Sequence, residues 1–509
     1  MNNLVFIKDI LSKKETRTLY FIFFLMIINS FLEAFSIGML LPLFSLILNS
    51  GENNLISEKI FSILNSYGFE PTTELFLISI IFIFLIKYLF TIYYTKFLTS
   101  FALDLRVSIS SKIFKDYLYK SLIFHSNTSS ATLVRNIDKE VGIFLNNFLG
   151  PILSYSLGGL TIFFILVLLL LVNFKSTLLL ILIFGIIYFL IIKSFSAKLL
   201  HIGELRQHHE KFSLKYIYEA IRTIIEVKLL ELEDYYKNKY FFHANRIAKQ
   251  STMRAIIGIL PKIIFESTLL LIICYLIFFY TSNNLSIDDL FAQLLIYATA
   301  GFRIMPALNL ITTSHQKIKF GFPAAKLLSK TFLNFDPQSY SQKKNEVNSN
   351  ISFKKNIEFK NLNFSYDNKI ILTDFDLTIK KNQTIGIKGK NGSGKTTLVK
   401  LICGLLQPNN GSLYVDGQNI DSSSSNWKKL IGYIPQEINL IEGTIKDNLC
   451  IGIKNHEFDE KKLDSIIDNI QLREFVNKLP NGLDTDIGEL GSKISGGEKQ
   501  KIGICRALF

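Results

Sequence analysis

Six apolar stretches, each near the length a helix needs to cross the hydrocarbon core of a bilayer, punctuate the first 313 residues of this 509-residue chain. They run roughly from Leu19 to Leu48, Leu75 to Phe97, Phe144 to Val172, Thr177 to Ile192, Ile256 to Tyr280 and Leu290 to Thr313, the fourth being the shortest. In lipid every backbone N–H and C=O must find its partner within the protein, so stretches of this length and composition predict helices. The expectation is a multi-domain membrane protein that begins with an all-α six-helix transmembrane domain. Composition agrees, with 49% hydrophobic residues and 44 Phe. The N-terminus lacks a short apolar core followed by a small-residue cleavage site, so a cleavable signal peptide is not expected.

Lys and Arg set the orientation. Lys8, Lys13, Lys14 and Arg17 precede the first run. Arg106, Lys112, Lys115, Lys120, Arg135 and Lys139 fill the second connection, and a third group from Arg206 to Lys249 fills the fourth. The alternate connections are poor in them: residues 49 to 74 carry only Lys59, and "NFKS" only Lys175. Both termini are therefore expected in the cytoplasm. The formal net charge of +14 lies in these connections rather than in one polybasic block, which points to an anionic inner leaflet and away from nucleic acid. Cys274, Cys403, Cys450 and Cys505 show no metal-ligand spacing and read as buried thiols.

The two long basic connections have little Pro or Gly and carry apolar residues at helical spacing, as in "SLKYIYEAIRTIIEVKLLELEDYYKNKY", so the spans are expected to continue as helices into the cytoplasm. The polar stretch "FDPQSYSQKKNEVNSN" reads as a linker, giving a membrane domain over 1–330, a linker over 331–350 and a second domain over 351–509. In that second domain "IEFKNLNFSY", "ILTDFDLTI" and "QTIGIKG" read as strands and "KTTLVKLICGLL" as a helix, the order of an α/β nucleotide-binding domain.

"GKNGSGKTT", Gly389 to Thr397, satisfies the phosphate-loop pattern between a strand-like segment and a helix. The chemistry needs this arrangement. Gly389, Asn391, Gly392, Ser393 and Gly394 let backbone N–H groups wrap phosphates, and the helix N-terminus favours negative charge. Lys395 reaches the outer phosphates, Thr396 offers a hydroxyl to Mg²⁺, and Thr397 follows. With this motif in place the second domain resembles the P-loop nucleotide-binding domain of ABC transporters. The resemblance implies ATP and Mg²⁺ as ligands. It further implies that Tyr366 in "FSYDN" stacks on adenine, that Gln436 in "IGYIPQE" contacts Mg²⁺ or the attacking water, and that Glu489 in "IGELG" touches coupling helices. "ISGGE" resembles the signature sequence, implying that Ser495, Gly496, Gly497 and Glu498 meet the ATP held by an opposite subunit.

In that family an apolar strand ending in Asp-Glu and then a switch histidine follow the signature helix. Asp459-Glu460 and His456 precede it and read as solvated residues flanking a helix. The expectation for the sequence as given is a domain incomplete at its C-terminus, which binds ATP without hydrolysing it and leaves part of its sheet uncovered.

Charges inside spans are costly and are candidates for function. Lys262 in "LPKIIFES" and Arg303 in "FRIMPALN" sit where an anionic lipid group entering from the inner leaflet would meet them. Glu266 lies one turn from Lys262, and Glu33 and Lys87 sit at similar depths on the first two runs, where a structural pair explains them equally well. The membrane half is also similar to the lipid-linked oligosaccharide flippase branch of bacterial half-exporters, in "FLEAFSIGMLLPLFSLIL", "LPKIIFE" and "FRIMPALN". That likeness implies a homodimer in the inner membrane flipping a polyprenyl-pyrophosphate-linked glycan. Export of lipid A, drugs or peptides, or a non-catalytic subunit paired with a complete half-transporter, are the alternatives.

Overall fold

The structure is a computed structural model that describes residues 10–47, 61–62, 64–68, 70–172, 174–282, 287–333, 351–366, 369–421, 424–453 and 458–509. The chain divides into two compact units, one of Met1–Lys120 with His125–Phe335, the other of Ser121–Phe124 with Asp336–Phe509.

The first unit is helical. Its long elements are α1 (Lys13–Gly38), α2 (Thr73–Tyr119), α3 (Gly150–Val172), α4 (Phe174–Arg222), α5 (Glu233–Ser282) and α6 (Ile287–Leu333). At 1.5 Å per residue the 47 residues of α2 make a rod of roughly 70 Å, more than twice the ~30 Å of a hydrocarbon core. The apolar runs thus pass without a break into polar helix, as the spacing of the basic connections predicts. Among the described residues, five helices are long and apolar enough to cross a membrane. The sixth run falls in α6, where the side chains of residues 287–300 and of Phe302 and Arg303 lie outside the described set. α6 also reaches Leu333, three residues into the stretch read as a linker, and residues 334–350 are outside the described residues.

Where the first run was read as continuous, the helix stops at Gly38, turns at Met39 and resumes over Leu40–Ile47. Pro42 sits in the first turn of the resumed helix, where its missing N–H costs nothing. A side chain at Gly38 would meet Leu168 at 2.8 Å, so α1 crosses α3 closely here, and Ala34, Ile37, Ile165 and Leu169 bury together beside the crossing.

Ahead of α3 the chain makes two π-helical turns, Asn136–Glu140 and Leu145–Leu149. The first brings Glu140, fully buried, between two arginines that are themselves buried: Arg135 at 3.7 Å and Arg206 of α4 at 3.4 Å. Arg206 also holds Glu210 at 2.7 Å, and its guanidinium lies over Phe320 of α6. The opposing groups repay part of one another's desolvation, which is what allows two guanidinium and two carboxyl groups to sit together inside the bundle.

The second unit carries a four-stranded antiparallel sheet of β1 (Asn356–Tyr366), β2 (Lys369–Lys380), β3 (Asn410–Val415) and β4 (Gln418–Ile420) in the order β2-β1-β3-β4. It also carries α7 (Lys395–Ile402) and α8 (Gly496–Leu508). The first two strand expectations match β1 and β2. "QTIGIKG" does not form a strand: it has no regular secondary structure and is exposed, Ile385 and Ile387 included, and it joins no ladder among the described residues. Tyr433 and Ile434, ahead of Gln436, are likewise exposed and outside any strand. A strand is defined by its partner, and apolar alternation in one segment does not supply one. The described sheet is therefore antiparallel, without the parallel layer an α/β reading calls for. Of the four cysteines, Cys403 and Cys505 are buried and Cys450 half-buried, but Cys274 is exposed on α5, because a residue on the outer side of an apolar helix meets lipid rather than core.

Candidate nucleotide site

The phosphate loop is built by backbone geometry. Gly392 and Gly394 have φ of 82° and 89°, the left-handed region open to glycine at no steric cost. Gly394 is the N-cap of α7, and a Cβ on it would come within 2.6 Å of Ile371 on β2, so strand and helix start are in contact. At Gly389 a Cβ would approach the Ser393 hydroxyl to 2.7 Å. Inside this ring the Lys395 ammonium donates to the carbonyls of Gly389 and Lys390, at 2.8 and 2.9 Å. Its charge is held by neutral dipoles alone, with no carboxylate in an ion pair with it among the described residues. Thr396 is exposed on the first turn of α7 and Thr397 half-buried, while Asn391 stands exposed at the loop tip. An exposed hydroxyl is an oxygen donor of the kind Mg²⁺ takes together with water and phosphate oxygens, so Thr396 fits that ion.

Tyr366 closes β1, edge-on to Phe364 with ring centres 4.9 Å apart, and packs against the cluster of Phe364, Leu401 and Leu406 that also takes in Ile371. One end of this aromatic is thus core and the other lies toward the strand end. Gln436 is exposed. The segments on either side of it cross α8 closely: a Cβ on Gly432 would meet the Ala507 carbonyl at 2.6 Å, and one on Gly503 would meet Ile438 at 2.4 Å.

Ser495 is the N-cap of α8. Its hydroxyl accepts from the Glu498 amide, and Glu498 accepts in return from the Ser495 amide at 2.7 Å, a reciprocal capping box. Gly496 and Gly497 follow with nothing within 4 Å of where a side chain would stand, leaving the helix start open. Glu489 is exposed at the start of a 3₁₀ turn. Asp459 caps the helix Glu460–Asn469 by accepting from the Lys462 amide, in keeping with its reading as a helix-flanking residue, and His456 is outside the described residues.

One pair escaped the sequence reading. Asn448, fully buried, accepts from the Ile441 amide and donates to the Ile441 and Thr444 carbonyls. Arg506 of α8 then donates to its side chain at 2.6 Å, to its carbonyl at 2.5 Å and to the Asn439 carbonyl at 2.8 Å. In "GTIKDNL" Asn448 follows Lys446 and Asp447, so the sequence carries no sign that it alone of these is buried.

In the membrane unit Lys87 and Glu33 pair at 2.9 Å, with Lys87 buried and lying over the rings of Phe84 and Tyr88. Lys262 and Glu266 stand 3.8 Å apart with more than half of each side chain exposed, a loose contact. Lys262 does not line the cavity of about 830 Å³ between α3, α4, α5 and α6, whose wall is apolar apart from Thr268, Tyr275 and the hydrogen-bonded hydroxyls of Tyr155 and Tyr188. Gly301 and Ile304 line it, and the Arg303 side chain between them is outside the described set.

Comparison with known proteins agrees with this geometry. The ABC transporter transmembrane region family matches residues 19–302, and the ABC transporter family matches residues 372–509. The chain belongs to the ABC transporters. The ATP-dependent lipid A-core flippase of Ralstonia nicotianae is 24% identical over 420 residues, 82% of this chain and 70% of that protein. The uncharacterized ABC transporter ATP-binding protein YfiB of Bacillus subtilis is 41% identical over 159 residues, 30% of this chain. The match spans 27% of the length of YfiB, a share that also holds for the Rickettsia relatives. Among solved structures, a bacterial Atm1-family ABC exporter with ATP bound superposes with a TM-score of 0.74 at 17% identity, covering 97% of this chain and 83% of that one. The fold is that of an ABC exporter.

Proposed function

We propose that this chain is a half-transporter that uses ATP to export or flip an anionic amphiphile across the inner membrane as a homodimer. In this reading a six-span membrane domain over 1–330 is joined by a linker to a nucleotide-binding domain over 351–509, with both termini cytoplasmic. The observation that carries the reading is the phosphate loop, where an ammonium rests on two backbone carbonyls at the start of a helix. Lys395 exchanges those carbonyls for the outer phosphate oxygens of ATP, the amides of residues 392–396 cradle the inner ones, and Tyr366 takes the base. Thr396 and Gln436 would hold Mg²⁺, which when bound neutralises phosphate charge. The open start of α8, with Ser495, Gly496, Gly497 and Glu498, faces the nucleotide held by the second copy, and Glu489 meets the coupling helices.

For the cargo, Lys262 supports an anionic headgroup, since its loose contact with Glu266 leaves most of the ammonium free. With Arg303 it suits the pyrophosphate of a polyprenyl-linked oligosaccharide. The likeness to a lipid A-core flippase over 82% of the chain favours lipid A as a second reading. Reconstitution in liposomes with fluorescent polyprenyl-pyrophosphate oligosaccharide or lipid A separates them. ATP-dependent movement of the first that Lys262→Ala and Arg303→Ala both slow supports the oligosaccharide. Movement of lipid A alone, or none that depends on ATP, overturns it.

A further inference from the structure

His209 of α4 and His243 of α5 lie outside the apolar runs, on the polar lengths of their helices, and face each other with Nδ1 atoms 2.9 Å apart. Their ring centres are 5.2 Å apart, close to that separation plus the two ring radii, so the nitrogens point at one another along the line joining the rings. Two imidazoles placed so share one hydrogen: one Nδ1–H donates and the other Nδ1 accepts. An aromatic wall fixes the geometry. His243 stacks with Phe212 at 5.3 Å and 13° and with Tyr216 at 5.7 Å and 29°, and Phe242 stands edge-on to it.

The same geometry speaks against a metal. Two imidazole nitrogens on a tetrahedral ion at ~2.0–2.1 Å lie roughly 3.4 Å apart with the ion off the line between them, whereas here they are 2.9 Å apart and aimed at one another. Chelation from the side needs both rings to tilt, and the stack on His243 opposes that. Among the described residues, no group of three His, Cys, Asp or Glu is placed to hold an ion.

Besides the two rings themselves, the charged and titratable groups that act on the pair are His208 from α4 and Lys239 and Arg246 from α5, all basic, and Lys211 of α4 lies over the Phe212 ring that stacks on His243. No carboxylate among the described residues makes an ion pair with either ring. Burial first, then the facing ring of His243, His208 and Arg246, push His209 below the ordinary histidine value of 6.5. Burial, His208 and Lys239 do the same to His243.

We propose that His209 and His243 form an acid-sensitive latch between α4 and α5, closed while the pair carries at most one added proton and opened by the second. A second proton puts N–H against N–H between two like charges, and the hydrogen bond is lost. The sign follows from the lowered values: the latched form binds fewer protons than the parted form, so latching is complete well above 6.5 and is lost as pH falls through the lowered range.

The test is the melting temperature of the purified chain in detergent from pH 7.5 to 5, with His209→Gln, His243→Gln, the double variant and His208→Gln, each run with and without EDTA. The expected result is an acid-side loss in the parent and in His208→Gln that exceeds that of the double variant by roughly 2–4 °C, with the two single variants non-additive. Histidine ¹⁵N spectra of the unaltered protein supply a check that needs no variant: one Nδ1 protonated and one bare at pH 7.5, both protonated on the acid side. Equal losses in the parent and double variant overturn the latch, as do two bare or two protonated Nδ1 atoms at pH 7.5. An effect that EDTA removes and Zn²⁺ restores assigns the pair to a metal instead.

Discussion

The buried ionic cluster of the membrane unit and the phosphate loop of the nucleotide unit treat charge in opposite ways. In the membrane unit Glu140, Arg135, Arg206 and Glu210 neutralise one another inside the bundle, and Lys87 lies buried against Glu33. In the nucleotide unit Lys395 stands on two carbonyl dipoles at an open loop, and the start of α8 is left uncovered beside Gly496 and Gly497. A charge that has a buried opposite has spent its field on the fold. A charge held by neutral dipoles keeps most of it for an incoming anion. The difference separates structural ionic groups from those that await a ligand.

The largest break in that contrast is Glu140→Gln. It leaves two guanidinium groups buried with one carboxylate less, at a cost of about 3–5 kcal/mol, read as a large fall in melting temperature or as loss of folded protein. Glu33→Gln acts in the same direction and costs less, about 2–3 kcal/mol, because the Glu33 side chain retains one fifth of its exposure. Ser495→Ala removes the capping hydroxyl of α8 for about 1 kcal/mol, and thermal melting registers it as a small shift. Lys262→Gln breaks only a half-exposed contact. It should leave the stability within about 0.5 kcal/mol of the parent while slowing transport of an anionic cargo, a separation that sharpens the contrast between the two kinds of lysine.

What the sequence reveals follows the range of the interaction. The apolar runs, their polar helical extensions and the phosphate loop are local patterns, set by composition over one element; among the described residues five helices are long and apolar enough to cross a membrane, and the first run is broken at Gly38. The Lys87–Glu33 pair was legible because both residues are anomalies within apolar runs. Nothing in the sequence joins Glu140 to Arg206, His209 to His243 or Asn448 to Arg506. Each pair is made by helices or loops meeting at long separation, and charged or polar residues in basic connections look alike until a partner is found. "QTIGIKG" fails for the same reason in reverse: its alternation is that of a strand, but strand pairing is supplied from elsewhere in the fold. The break at Gly38 was hidden because an apolar run shows no change of hydropathy where the helix turns.

The most direct measurement is MgATP affinity of the purified chain beside its melting temperature, for the parent and Lys395→Ala. Losing a charged hydrogen-bond donor to phosphate predicts an affinity weaker by about 10- to 100-fold, with melting unchanged because the lysine has no buried partner to abandon. Unchanged affinity, or a fall in melting comparable to that of Glu140→Gln, would contradict the claim that this charge is held in readiness for a phosphate.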